Sequence, residues 1–454
     1  MNFMKHFLIF TPLLFIAFLT KAQNNTPLFK FDFGTGKAAK GYTKVLPTNK
    51  YSESTGFGFS GDAEIIGVNR GGKNLLNADY CTSTKPFYFS VKVPDGNYDV
   101  TIHFGDADGE STTTVRTECR RLMLENIHTN KGQFSSQTIT IHIKDSLIRN
   151  ENGLVTGKVK LKSRPNVSES DYLHWDNLLT LEFNNANPKI TGLEIKPNHS
   201  AITIFLAGNS TVVDQDREPW ASWGQMIPRF FKPSEIAIAN YAESGETLNS
   251  FLGEKRLEKL LSLLKKGDYL FIEFAHNDQK QKGPGIGAFT SYKTLLKKFI
   301  IAVKEKGGIP FLVTSMNRRS FDSAGKITNT LGDYPAAMRE TAKEENIAMI
   351  DMNAISKILY EAWGPVVSKK AFVHYPANSF PLQTLELKDD THFNTYGAYE
   401  LAKCMLQGLK DLQHPLAKYL LPNLPVFDPA KPDDPALFFW PLSTHISAIK
   451  PDGN

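Results

Sequence analysis

From about Thr26 to Pro197, apolar and polar residues alternate in short runs, as in Phe87-Tyr-Phe-Ser-Val-Lys-Val93, Tyr98-Asp-Val-Thr-Ile-His-Phe104, Gln137-Thr-Ile-Thr-Ile-His-Ile143, Gly157-Lys-Val-Lys-Leu161 and Leu179-Thr-Leu-Glu-Phe183. A period of two turns one face of each run toward a core and the other toward solvent, so these runs predict strands. Turn residues separate them. In Pro94-Asp-Gly-Asn97, proline presets the bend and glycine or asparagine accepts a positive φ. Residues 26–197 therefore predict an antiparallel β-sandwich, with Ile190-Thr-Gly-Leu-Glu-Ile-Lys-Pro-Asn198 as its last strand and linker.

From residue 202 the period changes. Apolar runs of strand length at 202–206, 236–240, 269–274, 310–314 and 348–351 alternate with stretches of helical spacing at 248–265, 289–306 and 336–345, and a last helix is expected over 396–412. Continuous apolar strands alternating with one-sided helices predict an α/β domain over 200–413, its parallel sheet covered on both faces. Beyond His414 the chain is rich in Pro and Asp around Phe438-Phe-Trp440, and 414–454 reads as an extended wrap.

Ligands of a parallel sheet gather at the carboxyl ends of its strands. The first strand ends at Gly208-Asn-Ser210-Thr, the second at Ala242-Glu-Ser-Gly245-Glu-Thr and the third at Ala275-His-Asn277-Asp, while Asp389-Asp-Thr-His392-Phe-Asn precedes the last helix. A strand-terminal serine with a distant acid and imidazole contains the parts of an activated hydroxyl nucleophile. Each residue also has an ordinary reading: Ser210 as a helix cap, Gly245 as a loop glycine, Asn277 as a turn closed with Asp278, His392 as a satisfied histidine. Asp389 and Asp390 compete to orient His392. The coincidence of four polar segments at one sheet edge is what favours chemistry.

Composition narrows the setting. With 454 residues and 41% apolar content, the chain exceeds one compact core and suits two domains. Residues 1–22 carry Lys5, an apolar run and small residues before the expected cut, which is the pattern of an export leader and implies a periplasmic or secreted protein. No second long apolar run follows, so no membrane span is expected once the leader is gone. Its removal takes away Lys5 and Lys21, lowering the formal charge from +5 to +3. That mild excess calls for no nucleic acid and suits a polyanionic substrate. Cys81 and Cys119 could pair in an oxidising compartment or sit as small buried hydrophobes; Cys404 falls in the last helix. No His-x-x-x-His pair occurs, so neither metal nor other cofactor is expected.

The four segments resemble the SGNH or GDSL hydrolases, whose blocks carry Ser, Gly, Asn and His in this chain order. More narrowly, residues 202–412 look like a rhamnogalacturonan acetylesterase, with Arg318-Arg-Ser-Phe321 and Tyr334-Pro also similar to that subgroup. The resemblance implies a flavodoxin-like three-layer fold. It also implies a triad of Ser210, His392 and Asp389, the Asp-x-x-His spacing favouring Asp389, and an oxyanion hole from Ser210 N–H, Gly245 N–H and the Asn277 amide. One departure is Asn209, where the family more often has Asp. Arg318 or Arg319 could grip a galacturonate carboxylate, and His276 could wall the pocket. The first domain resembles galactose-binding jelly-roll modules, with Tyr172-Leu-His-Trp175-Asp as a possible sugar platform, although a structural role is favoured. The leading expectation is removal of acetyl groups from pectic polysaccharide. The alternatives are an esterase or acyltransferase on xylan, lipid or a small ester, and a non-catalytic carbohydrate binder. The intact Ser210, Asn277, Asp389 and His392 speak against the last, and the lack of a long apolar lid segment speaks against lipid.

Overall fold

The computed structural model describes residues 29–162 and 175–452. The expected leader and residues 172–174 of the possible sugar platform lie outside the described residues. Two sheets face each other in the first half. One runs Phe134–Ile143, Gly96–Gly105, Ile190–Pro197, Phe29–Phe33, Thr43–Val45; the other runs Phe57–Ser60, Phe87–Lys92, Leu178–Asn184, Ser111–Thr117, Arg121–Thr129. Pairing is antiparallel apart from Phe29–Phe33 with Thr43–Val45. The alternating pattern buries Phe31, Phe33, Phe59, Phe87, Phe89 and Phe183 between the sheets. Each such side chain contributes about 1.5–3 kcal/mol.

The second half forms a five-stranded parallel sheet in the order Ile236–Asn240, Ile202–Gly208, Tyr269–Glu273, Ile309–Val313, Met349–Ile350. In chain order this is 2-1-3-4-5, the flavodoxin-like arrangement, whose ligand site lies where the order reverses between the first and third strands. Successive residues of the first strand serve opposite faces: Leu206 packs in a core with Trp223, Leu401 and Met405, and Phe205 in another with Phe251, Leu296 and Phe299. Helix Thr395–Asp411 covers the first face and Lys293–Glu305 the second.

Several elements differ from expectation. The helix predicted over 248–265 is broken into Leu248–Gly253 and Arg256–Leu263 by Lys255, whose φ is +63°. The break faces Arg256 toward Glu243 at 3.4 Å and Lys259 toward Asp145 at 3.1 Å. Helix Met352–Val367 and the hairpin Phe372–Tyr375 with Leu387–Phe393 were not foreseen. Cys81 and Cys119 form no disulfide: all three cysteines are buried thiols, with Cys81 inside the sandwich core. Trp175 is no exposed platform; it is buried edge-on against Tyr241 of the second domain, ring centroids 5.5 Å apart.

The two halves share a polar, buried seam. His142 Nε2 meets Tyr241 OH at 3.1 Å, and Asn97 Nδ2 donates to Thr203 Oγ1 at 2.9 Å. The tail runs along both: Tyr88 OH contacts Thr444 Oγ1 at 2.8 Å, the Arg116 guanidinium lies 3.9 Å over the Trp440 ring, and Trp440 Nε1 donates to Glu218 Oε1 at 2.8 Å. Among the described residues, no helix is long and apolar enough to cross a membrane.

Candidate active site

Ser210 lies in the turn that leaves the first parallel strand. Val212 and Val213 both donate their N–H to Asn209 O at 3.0 Å, and Asn209 Oδ1 accepts from Thr211 N–H at 3.1 Å. The turn folds back so tightly that a Cβ on Gly208 would stand 2.5 Å from Val212 Cγ2. Asp389 and His392 sit on the strand Leu387–Phe393, just before Asn394, whose side chain caps helix Thr395–Asp411 by accepting from Gly397 N–H at 3.1 Å. This cap fixes where the strand stops, and with it the imidazole.

A continuous relay results. Ser210 Oγ lies 2.8 Å from His392 Nε2, and His392 Nδ1 lies 2.8 Å from Asp389 Oδ2. Asp389 Oδ1 also accepts from the N–H of Thr391 at 2.7 Å and of His392 at 2.9 Å. Burial alone would raise its pKa, but the His392 side chain and these backbone donors outweigh it and hold the carboxyl well below its ordinary value. Asp390, the competing acid, points elsewhere, to Arg319 Nη1 at 2.8 Å and His374 Nε2 at 2.9 Å. The Trp220 ring stands edge-on to His392, 5.6 Å between centroids.

Gly245 has φ of +79°, and a Cβ there would come within 2.9 Å of Lys162 Nζ and 3.2 Å of Asp452 Cβ. The left-handed backbone there favours glycine. Asn277 is buried; its Nδ2 donates to Glu246 O at 3.1 Å and its Oδ1 accepts from Lys280 Nζ at 3.2 Å. His276 is buried, and burial first, then Arg318 and His392, push its pKa well down, which favours the neutral ring. Arg318 donates to His276 O at 3.1 Å and Thr330 O at 3.3 Å. Arg319 is turned away, spent on Asp390, Ser368 Oγ at 3.0 Å and Pro365 O.

Three supports had no sequence signal of their own. Glu273 ends the third strand fully buried, accepting from Thr211 Oγ1 at 3.0 Å, Ser315 Oγ at 3.0 Å and Trp223 Nε1 at 2.8 Å; burial pushes its pKa up to about 7 against these bonds. Thr211 Oγ1 also reaches Asn209 Oδ1 at 3.0 Å, so Asn209 lies beside that acid. An aspartate at 209 would bring a second carboxylate to the hydroxyl that already donates to Glu273. Gln215 Nε2 holds the Ser210 carbonyl at 2.7 Å. The third support comes from the sandwich hairpin: Arg120 Nη1 donates to Gln215 O at 3.1 Å, and Arg121 pairs with Asp214 Oδ2 at 2.7 Å. Among the described residues, no group of three or more His, Cys, Asp or Glu is placed to hold a metal ion.

A 2-1-3-4-5 sheet with serine, histidine and aspartate joined at its reversal point defines the SGNH class of acylhydrolases. Residues 206–398 match the GDSL-like Lipase/Acylhydrolase family, and residues 29–148 match the domain described as beta-agarase/YXIM esterase-like, galactose-binding domain-like. Rhamnogalacturonan acetylesterase RhgT of Bacillus subtilis is 41% identical over 222 residues, covering 48% of this chain and 94% of that protein. The probable rhamnogalacturonan acetylesterase YesY of the same organism is 32% identical over 221 residues, covering 48% of this chain and 97% of its own. The uncharacterized esterase YxiM of B. subtilis is 25% identical over 392 residues, covering 84% of this chain and 91% of its own, and so spans both domains. The chain belongs to the GDSL-like lipase/acylhydrolase family and is a carboxylic ester hydrolase.

Proposed function

We propose that this protein removes acetyl groups from acetylated pectic polysaccharide, rhamnogalacturonan first, through an acyl-enzyme on Ser210. The observation that carries the reading is the unbroken Ser210–His392–Asp389 relay, 2.8 Å at each link, in a chain 41% identical over 222 residues to a rhamnogalacturonan acetylesterase. His392 Nε2 takes the proton as Ser210 Oγ attacks the acetyl carbonyl, and Asp389 stabilises the imidazolium. The N–H groups of Ser210 and Gly245 and the Asn277 amide receive the oxyanion, each donor worth about 10²–10³ in rate. The sugar hydroxyl leaves with the proton from His392; water, activated by the same imidazole, then releases acetate and restores Ser210. The leader-like residues 1–22 support action outside the cytoplasm. In this reading residues 26–197 buttress the nucleophile turn, residues 200–413 carry the chemistry, and the tail 414–454 joins them.

The test is acetate release from acetylated rhamnogalacturonan, homogalacturonan and xylan by the wild-type protein and Ser210→Ala. Pectic substrates are expected to be preferred, with Ser210→Ala inactive on all three. Preference for xylan refutes the pectic assignment, and full activity of Ser210→Ala refutes the mechanism.

A further inference from the structure

Three cations from separate parts of the chain converge on the candidate site. Arg318, beyond the fourth parallel strand, holds the carbonyl of His276 at 3.1 Å; Lys280 donates to Asn277 Oδ1 at 3.2 Å; Lys450, in the tail, lies 3.2 Å from Asp389 Oδ2. Their proximity is felt at Lys280, whose pKa is lowered by burial and further by Arg318 and Lys450. Among the described residues, the acids at these anchors are already engaged. Asp389 has His392 and two backbone donors, and Glu246 has Lys162 at 2.7 Å. Asp452 lies over Gly245, where the Lys162 ammonium also sits.

The tail is pinned just before Lys450. Glu218 N–H donates to His445 O at 2.8 Å, Ser447 N–H to Glu218 O at 2.9 Å and Trp220 Nε1 to Ser447 O at 3.0 Å. Trp220 is the ring that packs against His392, so the tail's position and the imidazole's share one anchor. Lys450 itself is half-exposed. An ammonium has three donors, and the contact with Asp389 occupies one of them. Positive charges gathered in this way repel one another until an anion arrives between them.

We propose that Lys450, with Lys280 and Arg318, forms a carboxylate-binding subsite beside Ser210, so that the C-terminal tail sets a preference for acetyl esters on sugars that carry or adjoin a uronate. The inference rests on the pectic reading above. It assigns to the tail a part in substrate choice, in addition to its part in joining the two domains.

The experiment measures kcat/KM on acetylated rhamnogalacturonan oligosaccharides and on the same oligosaccharides with their uronates reduced to alcohols, for wild type, Lys450→Gln and Lys450→Arg. Wild type is expected to prefer the charged form. Because Lys450 is half-exposed, Lys450→Gln should lower the charged-to-reduced ratio by about fivefold, chiefly through KM, and Lys450→Arg should retain it. A ratio unchanged in Lys450→Gln, whether both rates fall together or neither falls, overturns the inference while the pectic reading stands. A wild-type protein indifferent to the uronate also overturns the inference, whereas the pectic reading falls only if xylan is preferred.

Discussion

Among the contacts by which the sandwich reaches the nucleophile turn is a buried ion pair between Arg121 and Asp214, and severing it should damage stability and catalysis together. Arg121 donates through Nε at 3.0 Å and Nη2 at 2.7 Å to Asp214 Oδ2, both side chains being about 1% exposed, and Asn240 Nδ2 donates to Asp214 Oδ1 at 2.9 Å. Arg121→Met leaves Asp214 charged and buried with only the Asn240 bond, which costs about 3–5 kcal/mol. At roughly 2–4 °C per kcal/mol for a domain of this size, Tm should fall by about 6–20 °C. Asp214→Asn keeps an oxygen for Asn240 and removes the stranded charge, so the double variant Arg121→Met/Asp214→Asn should recover at least half of that loss. Below the new Tm, kcat should fall more than KM rises, because the next residue, Gln215, fixes the Ser210 carbonyl. Thermal unfolding by calorimetry and hydrolysis of an aryl acetate measure the two effects. An Arg121→Met protein with unchanged Tm, or a double variant in which the two losses simply add, refutes the buttress argument.

Asp389→Asn should lower kcat by about 10⁴ through loss of the imidazole's tautomer and charge partner, whereas Asp390→Asn, which touches Arg319 and His374, should stay within a few-fold of wild type; steady-state kinetics on an aryl acetate separates them. Glu273 should make stability fall as pH rises. Its carboxyl titrates near about 7 when folded against an ordinary 4.5, so between those values the folded state keeps a proton the unfolded state has lost. The contribution is present below the lower value and is lost, by up to about 3 kcal/mol, as pH rises through the upper one. Unfolding midpoints of wild type and Glu273→Gln from pH 5 to 8 should diverge accordingly, and parallel curves would remove Glu273 as the cause.

Much of the fold was legible because period and burial coincide. Strands such as Ile236–Asn240 are apolar on both faces, and the runs at 98–104 and 137–143 alternate cleanly, so pattern and structure agree to within a few residues. What escaped was decided by tertiary contact. Lys255 adopts a left-handed conformation in a stretch of good helical spacing because Glu254 O is taken by Lys160 N–H, from the other domain, at 3.0 Å. The hairpin that carries His392 has only four residues on its short side, one of them His374, and offers no long apolar run. Trp175 was legible as structural, but an aromatic beside polar residues carries no mark of the partner domain that buries it.

The site divides along the same line. Ser210, Gly245, Asn277 and His392 could be proposed from sequence because each sits where a parallel strand or helix boundary delivers it, and topology alone brings those boundaries together. The residues that hold them could not. Gln215 and Glu273 read as one amide and one strand-end acid; they acquire meaning only through bonds to Ser210 O and Thr211 Oγ1. Arg120 and Arg121 are separated from the nucleophile turn by about 90 residues, and Lys450 by more than twice that, so no local pattern links them to it. Burying two arginines in a domain seam carries a desolvation cost that only fixed acceptors offset, and here the acceptors are Asp214, Glu218 and the carbonyls of Gln215 and Trp220. An appended module free to move on a linker has no use for such a seam. The charge chemistry therefore argues that the sandwich and the nucleophile turn form one docked unit.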